Sequence, residues 1–209
     1  MAGALPPSDF GSARLRLHTV AAGERFGRIY MANFPEPLGY GKSPSRFSDP
    51  RRRKAENRFG VLYLGETLAV CFLEAVLRDR RDGIVGTLDI DESELRERRF
   101  VDVEVASSLG LLDLRGNNPV AMGVPSDVLR GIKHRIGRAW SLAMHEHPQA
   151  IDGILYPSRL NGQVNLAIYG RAVAKLRPIR LRRLIDVAEL APVLDDLEVG
   201  LTASTRSGP

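Results

Sequence analysis

A single carboxylate stands in a greasy stretch of this chain. In LAVCFLEAVLRD (68–79) Glu74 is flanked, at the helical spacings of minus four, minus three and plus three, by Val70, Cys71 and Leu77. A carboxylate there must be paired, hydrogen-bonded or protonated, because an isolated buried charge is very costly. Two chemistries satisfy that demand. Arg78, four residues on, can form an ordinary helical ion pair worth about 0.2–0.5 kcal/mol. Alternatively, Glu74 stands in the wall of a cleft and faces a polar ligand. The local pattern leaves both open.

Other side chains ask similar questions. Arg28, in GRIYM, sits among residues of strand character and needs a partner; its fork suits phosphate or carboxylate. Arg46 lies in the Pro-, Gly- and Ser-rich loop that contains SPSRFSDP. Tyr63, in VLYLGET, is either core or a ring that stacks on a flat ligand. In ILYPSRLNGQVNLAIYG (154–170) a strand runs into a tight loop at Ser158 and returns through Asn165. No Gly-x-Ser-x-Gly elbow surrounds Ser158, so a hydrolase nucleophile is not expected there. The basic run of residues 51–54 reads as a solvated face.

Some chemistries are excluded. The single cysteine, Cys71, rules out an internal disulfide and a multi-cysteine zinc site. His145 and His147 are two apart and would not share a helical face, so no metal site is expected. GYGKSP (39–44) lacks the upstream glycine of a phosphate loop, and no dinucleotide fingerprint is present.

The elements that must position these residues follow from the pattern. The chain has 209 residues, 44% apolar and 26% charged, as in a soluble globular domain. Its net charge of +5 fits phosphate-bearing ligands, an acidic partner or simple solubility. No apolar run approaches the ~18 residues of a membrane helix. The N-terminus lacks a signal-peptide pattern, so no membrane association and a reducing, cytoplasmic setting are expected. Short apolar runs at 26–34, 59–65, 82–91, 99–105, 151–158 and 162–170 read as strands. A helix is expected from Thr67 to about Arg80, another over 125–147 on the spacing of Leu129, Ile132, Ile136, Trp140 and Ala143, and a strand with a closing helix over 177–197. This mixture predicts a single α+β domain of short mixed strands with packed helices. Its expected extent is 19–198, with a loose N-terminal arm (1–18) and a C-terminal tail (199–209).

Taken in order, GRIYM, SRF, VLYLGETLAVCFLEAVLRD and DGILYPSRLNGQVNLAIYG resemble the RES domain family over about residues 24–185. The family is named for an arginine, a glutamate and a serine, which Arg28, Glu74 and Ser158 match. Arg46 matches the arginine of a Gly-Arg-Trp-like segment, here Ser-Arg-Phe, with Phe47 keeping the aromatic. Tyr63 matches the tyrosine of the strand before the glutamate helix, and Asn165 a frequent asparagine after the serine. The long basic insert after Asp49 is less typical. The resemblance implies an ADP-ribosyltransferase-like fold and NAD+ as substrate, with no cofactor. It implies a toxin role, with an Xre-type helix-turn-helix antitoxin covering the cleft; a homo-oligomer is also compatible. Glu74 would stabilise the oxocarbenium charge, Arg28 and Arg46 would grip the pyrophosphate, and Tyr63, Ser158 and Asn165 would meet the substrate. Hydrolysis, phosphorolysis and mono-ADP-ribosyl transfer to a protein share that cation. A reading of another class is a basic nucleic-acid-binding module using residues 50–54 and 177–183.

Overall fold

Alternating apolar side chains form short strands, eight of which bury both faces of one sheet. The computed structural model describes residues 4–52, 54–131 and 134–203. In chain order the elements are β1 (Leu17–Val20), β2 (Arg25–Met31), β3 (Val61–Gly65), α1 (Leu68–Phe72) with a π-helical turn at Leu73–Leu77, β4 (Leu88–Asp91), α2 (Glu92–Arg96), β5 (Arg98–Val105), β6 (Leu109–Asp113), α3 (Asn118–Ala121), α4 (Asp127–Arg130), α5 (Arg135–His145), β7 (Gly153–Pro157), β8 (Val164–Tyr169), β9 (Leu176–Arg183), α6 (Leu190–Asp196) and β10 (Val199–Thr202). The expected α+β class holds.

Eight strands pair in the order β1-β6-β7-β8-β3-β2-β5-β9. Every neighbouring pair is antiparallel except β6–β7. The period of two sorts the side chains cleanly. Leu166 and Ile168 of β8 join Leu62 and Leu64 of β3 and Val101 and Val103 of β5 on one face, where the sheet curls on itself. Ala167 and Tyr169 point the other way, with Val61 and Ile154, against Ile136, Trp140 and Met144 of α5. The other half of that face, at β2 and β5, carries a second helical layer built on Phe72, Leu77, Leu95 and Leu194. The β9 edge is blunted by Pro178, by a bulge opposite Asp102/Val103 and by its arginines.

Three expectations are corrected. The N-terminal arm is anchored at points along its length: the Trp140 indole N–H donates to the Ala4 carbonyl at 2.8 Å, and Phe10 is buried edge-on against Trp140 at 5.1 Å. Leu15 is also buried, β1 starts at Leu17, and residues 1–3 lie outside the described part. The tail begins as a strand, because Val199 closes the second helical layer and β10 pairs in parallel with β4; residues 204–209 lie outside. The helix expected over 125–147 is two helices. Gly131 is extended (ψ 131°), and the carbonyls of Val128 and Gly131 turn to the guanidinium of Arg46 instead of continuing a helical ladder. Ile132, part of that expected stripe, lies outside the described residues.

One helix end carries a pH dependence. His145, the last residue of α5, stacks on Phe59 at 4.1 Å, and its Nδ1 is buried without a hydrogen-bond partner. Burial, reinforced by Arg171 and Arg51, lowers its pKa from 6.5 to about 4. The unfolded chain therefore takes up a proton at pH values where the folded one does not. Stability is full above pH 6.5 and falls as the pH drops toward 4. We expect a loss between pH 7 and pH 5 of at most about 1 kcal/mol, since solvent screening at this half-exposed ring discounts the full shift. Urea midpoints at the two pH values check it, and His145→Phe, which keeps the stacking, should flatten the difference.

Candidate active site

β2 and β3 lie side by side in the sheet but pair at only one position, Gly27 opposite Gly65. On one side of that junction the strands part around a cleft of about 520 Å³. Neither position has room for a side chain. A Cβ on Gly65 would lie 2.7 Å from Cys71 Sγ and from Val70 Cγ1, and one on Gly27 would lie 2.7 Å from the Phe100 ring. Gly65→Ala is therefore expected to cost about 1–3 kcal/mol of stability through overpacking. A lower urea midpoint at unchanged slope would show it.

α1 begins at Thr67, whose hydroxyl oxygen accepts from the Val70 N–H at 3.1 Å. The π-helical turn then buries Val76 and Leu77 in the core and leaves Glu74 half-buried at the cleft wall. Arg78 ends the turn with a left-handed backbone (φ +48°). Its Nε–H donates to the carbonyl of Glu74 at 3.0 Å, so the expected ion-pair alternative is not formed. The carboxylate turns inward. Oε1 accepts from Ser158 Oγ at 2.7 Å and from Asn165 Nδ2 at 3.1 Å. Both partners are only 4% exposed. Ser158 Oγ in turn accepts the Leu160 N–H at 3.2 Å, which commits its proton to Glu74. Oε2 has no hydrogen-bond partner among the described residues.

Two arginines reach the same cleft without a carboxylate partner among the described residues. Arg28, next to Gly27, donates to the Pro37 carbonyl at 2.6 Å and lies over the Tyr30 ring. Burial lowers its pKa from 12.5 to about 10. Arg46 donates to the Gly131 carbonyl at 3.0 Å, and burial lowers its pKa too. A partly desolvated cation with no carboxylate in ion-pair contact favours an incoming anion. By contrast, Arg182 lines a smaller hollow of about 240 Å³ beyond the glycine junction and is neutralised by Asp102 at 2.7 Å.

Of the six residues singled out from sequence, Arg28, Arg46, Tyr63, Glu74 and Asn165 line the cleft. Ser158 is not among its lining residues; it stands behind Glu74 and donates to that carboxylate. Tyr63 presents its ring to the cleft, but its hydroxyl is committed to Ser45 Oγ (2.9 Å) and to the Phe47 N–H (3.0 Å). Tyr156, His134 and Arg159 also line the cleft and were not singled out. Tyr156 was legible in principle, two residues before Ser158 on a strand of alternating faces. Arg159 forms an ion pair with Asp79 across the rim. Cys71 borders the cleft too, but burial pushes its thiol up to about 12, which keeps it protonated.

The basic segments are partly paired within the fold. Arg51 pairs with Asp49 at 2.6 Å and with Glu146 at 2.8 Å. Arg53, in the same run, lies outside the described residues. On β9, Arg177 pairs with Glu104, Arg182 with Asp102 and Arg183 with Asp186. Arg52, Lys54 and Arg180 are exposed. Among the described residues no cluster of three or more His, Cys, Asp or Glu could hold a metal, and no helix is long and apolar enough to cross a membrane.

Comparison with known proteins adds three findings. A family model described as the RES domain matches residues 16–188. The probable toxin y4kH of Sinorhizobium fredii (strain NBRC 101917 / NGR234) is 38% identical over 124 residues, 59% of this chain and 98% of that protein. A chain of the M. tuberculosis MbcT–MbcA toxin–antitoxin complex, a crystal structure, aligns with a TM-score of 0.57 at 20% identity, covering 79% of this chain and 86% of that one. At that identity the likeness is one of fold.

Proposed function

The chain belongs to the RES domain family, and on that footing we propose that it is a toxin-type enzyme that consumes NAD+ by cleaving the nicotinamide–ribose bond. One observation carries the reading: Glu74 stands in the cleft wall with Oε1 held by Ser158 and Asn165, while two desolvated arginines share the cavity. In the reaction the C1′–N bond breaks and its electron pair leaves with nicotinamide as a neutral base. The departing ring is already cationic in NAD+, so no general acid is needed, and one carboxylate suffices. Positive charge builds on the ribose, and the carboxylate of Glu74 stabilises it, as acidic groups do in glycosidases. Arg28 and Arg46 hold the pyrophosphate, and the ring of Tyr63 forms part of the wall. Water, phosphate or a protein side chain then captures the cation. NAD+ is the substrate, and the chemistry calls for no separate cofactor or metal.

The names of the relatives support a toxin role, and the toxin–antitoxin complex of the structural neighbour supports an antitoxin partner. The test is incubation of the pure protein with NAD+, following free nicotinamide. Mass spectrometry of the other product separates ADP-ribose from its phosphate ester and from an ADP-ribosylated protein. No release, even with phosphate and a cell lysate as acceptors, would overturn the reading.

A further inference from the structure

The segment that carries Arg46 is held from the cleft side by Tyr63 and Tyr156 and from behind by a helix. We propose that Ser141, buried in the middle of α5, is a positioning residue for the Arg46 anion subsite; this rests on the reading of the cleft given above. Arg46 belongs to an irregular segment with no ladder of its own. The next residue, Phe47, anchors it by every handle it has. Its ring is fully buried, edge-on to Tyr156 at 4.9 Å. Its N–H donates to the Tyr63 hydroxyl at 3.0 Å, and that hydroxyl also bonds Ser45 Oγ at 2.9 Å, so it straddles Arg46. Its carbonyl accepts from Ser141 Oγ at 2.7 Å.

A serine inside a helix ordinarily returns its proton to the carbonyl four residues back. Ser141, with no exposure to solvent, gives it to a segment 94 residues away. The Tyr169 hydroxyl lies 3.2 Å from Ser141 Oγ but gives its own proton to the Ser141 carbonyl at 3.1 Å, so the bond to Phe47 does not depend on Tyr169. One turn earlier on the same face, Gly137 leaves room for the chain: a Cβ there would lie 2.8 Å from the Arg46 carbonyl oxygen. Thus α5 meets the 45–48 segment at two successive turns, with no side chain at one and a donor at the other.

Ser141→Ala should raise KM for NAD+ about three- to tenfold, the worth of one buried hydrogen bond, with kcat within about twofold. In an Arg46→Ala background the same substitution should add nothing, because the group it positions is gone. Tyr169→Phe removes a neighbouring buried hydroxyl but leaves Phe47 held, so it should lower stability without moving KM. A KM that rises equally in Tyr169→Phe, or a Ser141→Ala effect undiminished by Arg46→Ala, overturns the assignment. Hydrogen–deuterium exchange of 45–48 reads the same bracket without substrate. It should speed up in Ser141→Ala and not in Tyr169→Phe, and equal rates in both would sink the proposal. That readout stands even where wild type releases no nicotinamide, in which case the proposed function has failed instead. Should Ser141→Ala not fold, Ser141→Cys, similar in volume but a poor donor, carries the same measurements.

Discussion

Glu74→Gln is expected to slow nicotinamide release from NAD+ by about 10²–10³-fold while leaving the fold intact. The amide oxygen of Gln can take the place of Oε1 and accept from Ser158 and Asn165, so the buried donors stay satisfied. What disappears is the negative charge at the cleft wall, which matters when the ribose turns cationic. The loss should therefore fall on kcat, with KM little changed. Glu74→Ala is a poorer probe. It strands the Ser158 and Asn165 donors, at a cost of about 1–3 kcal/mol for each buried unsatisfied group. Activity and stability would then fall together. A Gln variant within tenfold of wild type in kcat would strip Glu74 of the role assigned to it.

Arg28→Met should raise KM for NAD+ by about 10–100-fold, the worth of a charged hydrogen-bonding group in a binding site. Its effect on stability should have the opposite sign or none. Arg28 is a half-buried guanidinium whose one hydrogen bond among the described residues goes to the Pro37 carbonyl, and burial lowers its pKa to about 10. Replacing such a cation by an apolar side chain of similar length removes a desolvation cost. The paired readout is KM with the urea midpoint, together with the rise in Tm produced by ADP-ribose. Wild type should gain Tm with ADP-ribose and the variant much less. A variant that loses more than about 2 kcal/mol of stability would mark Arg28 as structural. Residues kept at a cost to the fold are commonly kept for binding.

The types of these two residues were legible because each violates its surroundings. A carboxylate in an apolar helix and an arginine in a strand both demand an explanation from local sequence alone. Their partners were not legible in that way. Ser158 lies 84 residues from Glu74 and Asn165 lies 91, and no periodicity links positions so far apart. Only the order of the segments, matched to a family, placed them together. The match did not assign their tasks, since Ser158 serves the carboxylate and the Tyr63 hydroxyl serves a loop. Helix boundaries failed for a related reason. The apolar spacing of Leu129, Ile136 and Trp140 continues across Gly131, where the backbone carbonyl is diverted to Arg46. The N-terminal arm looked loose because Phe10 and Leu15 stand among Gly, Pro and Ser, although their side chains enter the core.

The single rung between Gly27 and Gly65 has a consequence for how this molecule assembles. Divided there, the sheet has β1, β6, β7, β8 and β3 on one side and β2, β5 and β9 on the other. The chain crosses the divide between β1 and β2, β2 and β3, β3 and β5, β5 and β6, and β8 and β9. Covalent stitching therefore holds the two plates where hydrogen bonds scarcely do. Neither plate corresponds to a continuous stretch of chain, so the pairing within each is largely long-range, the regime of slow-folding β topologies. The opening that admits a ligand can then be wide without dividing the domain in two.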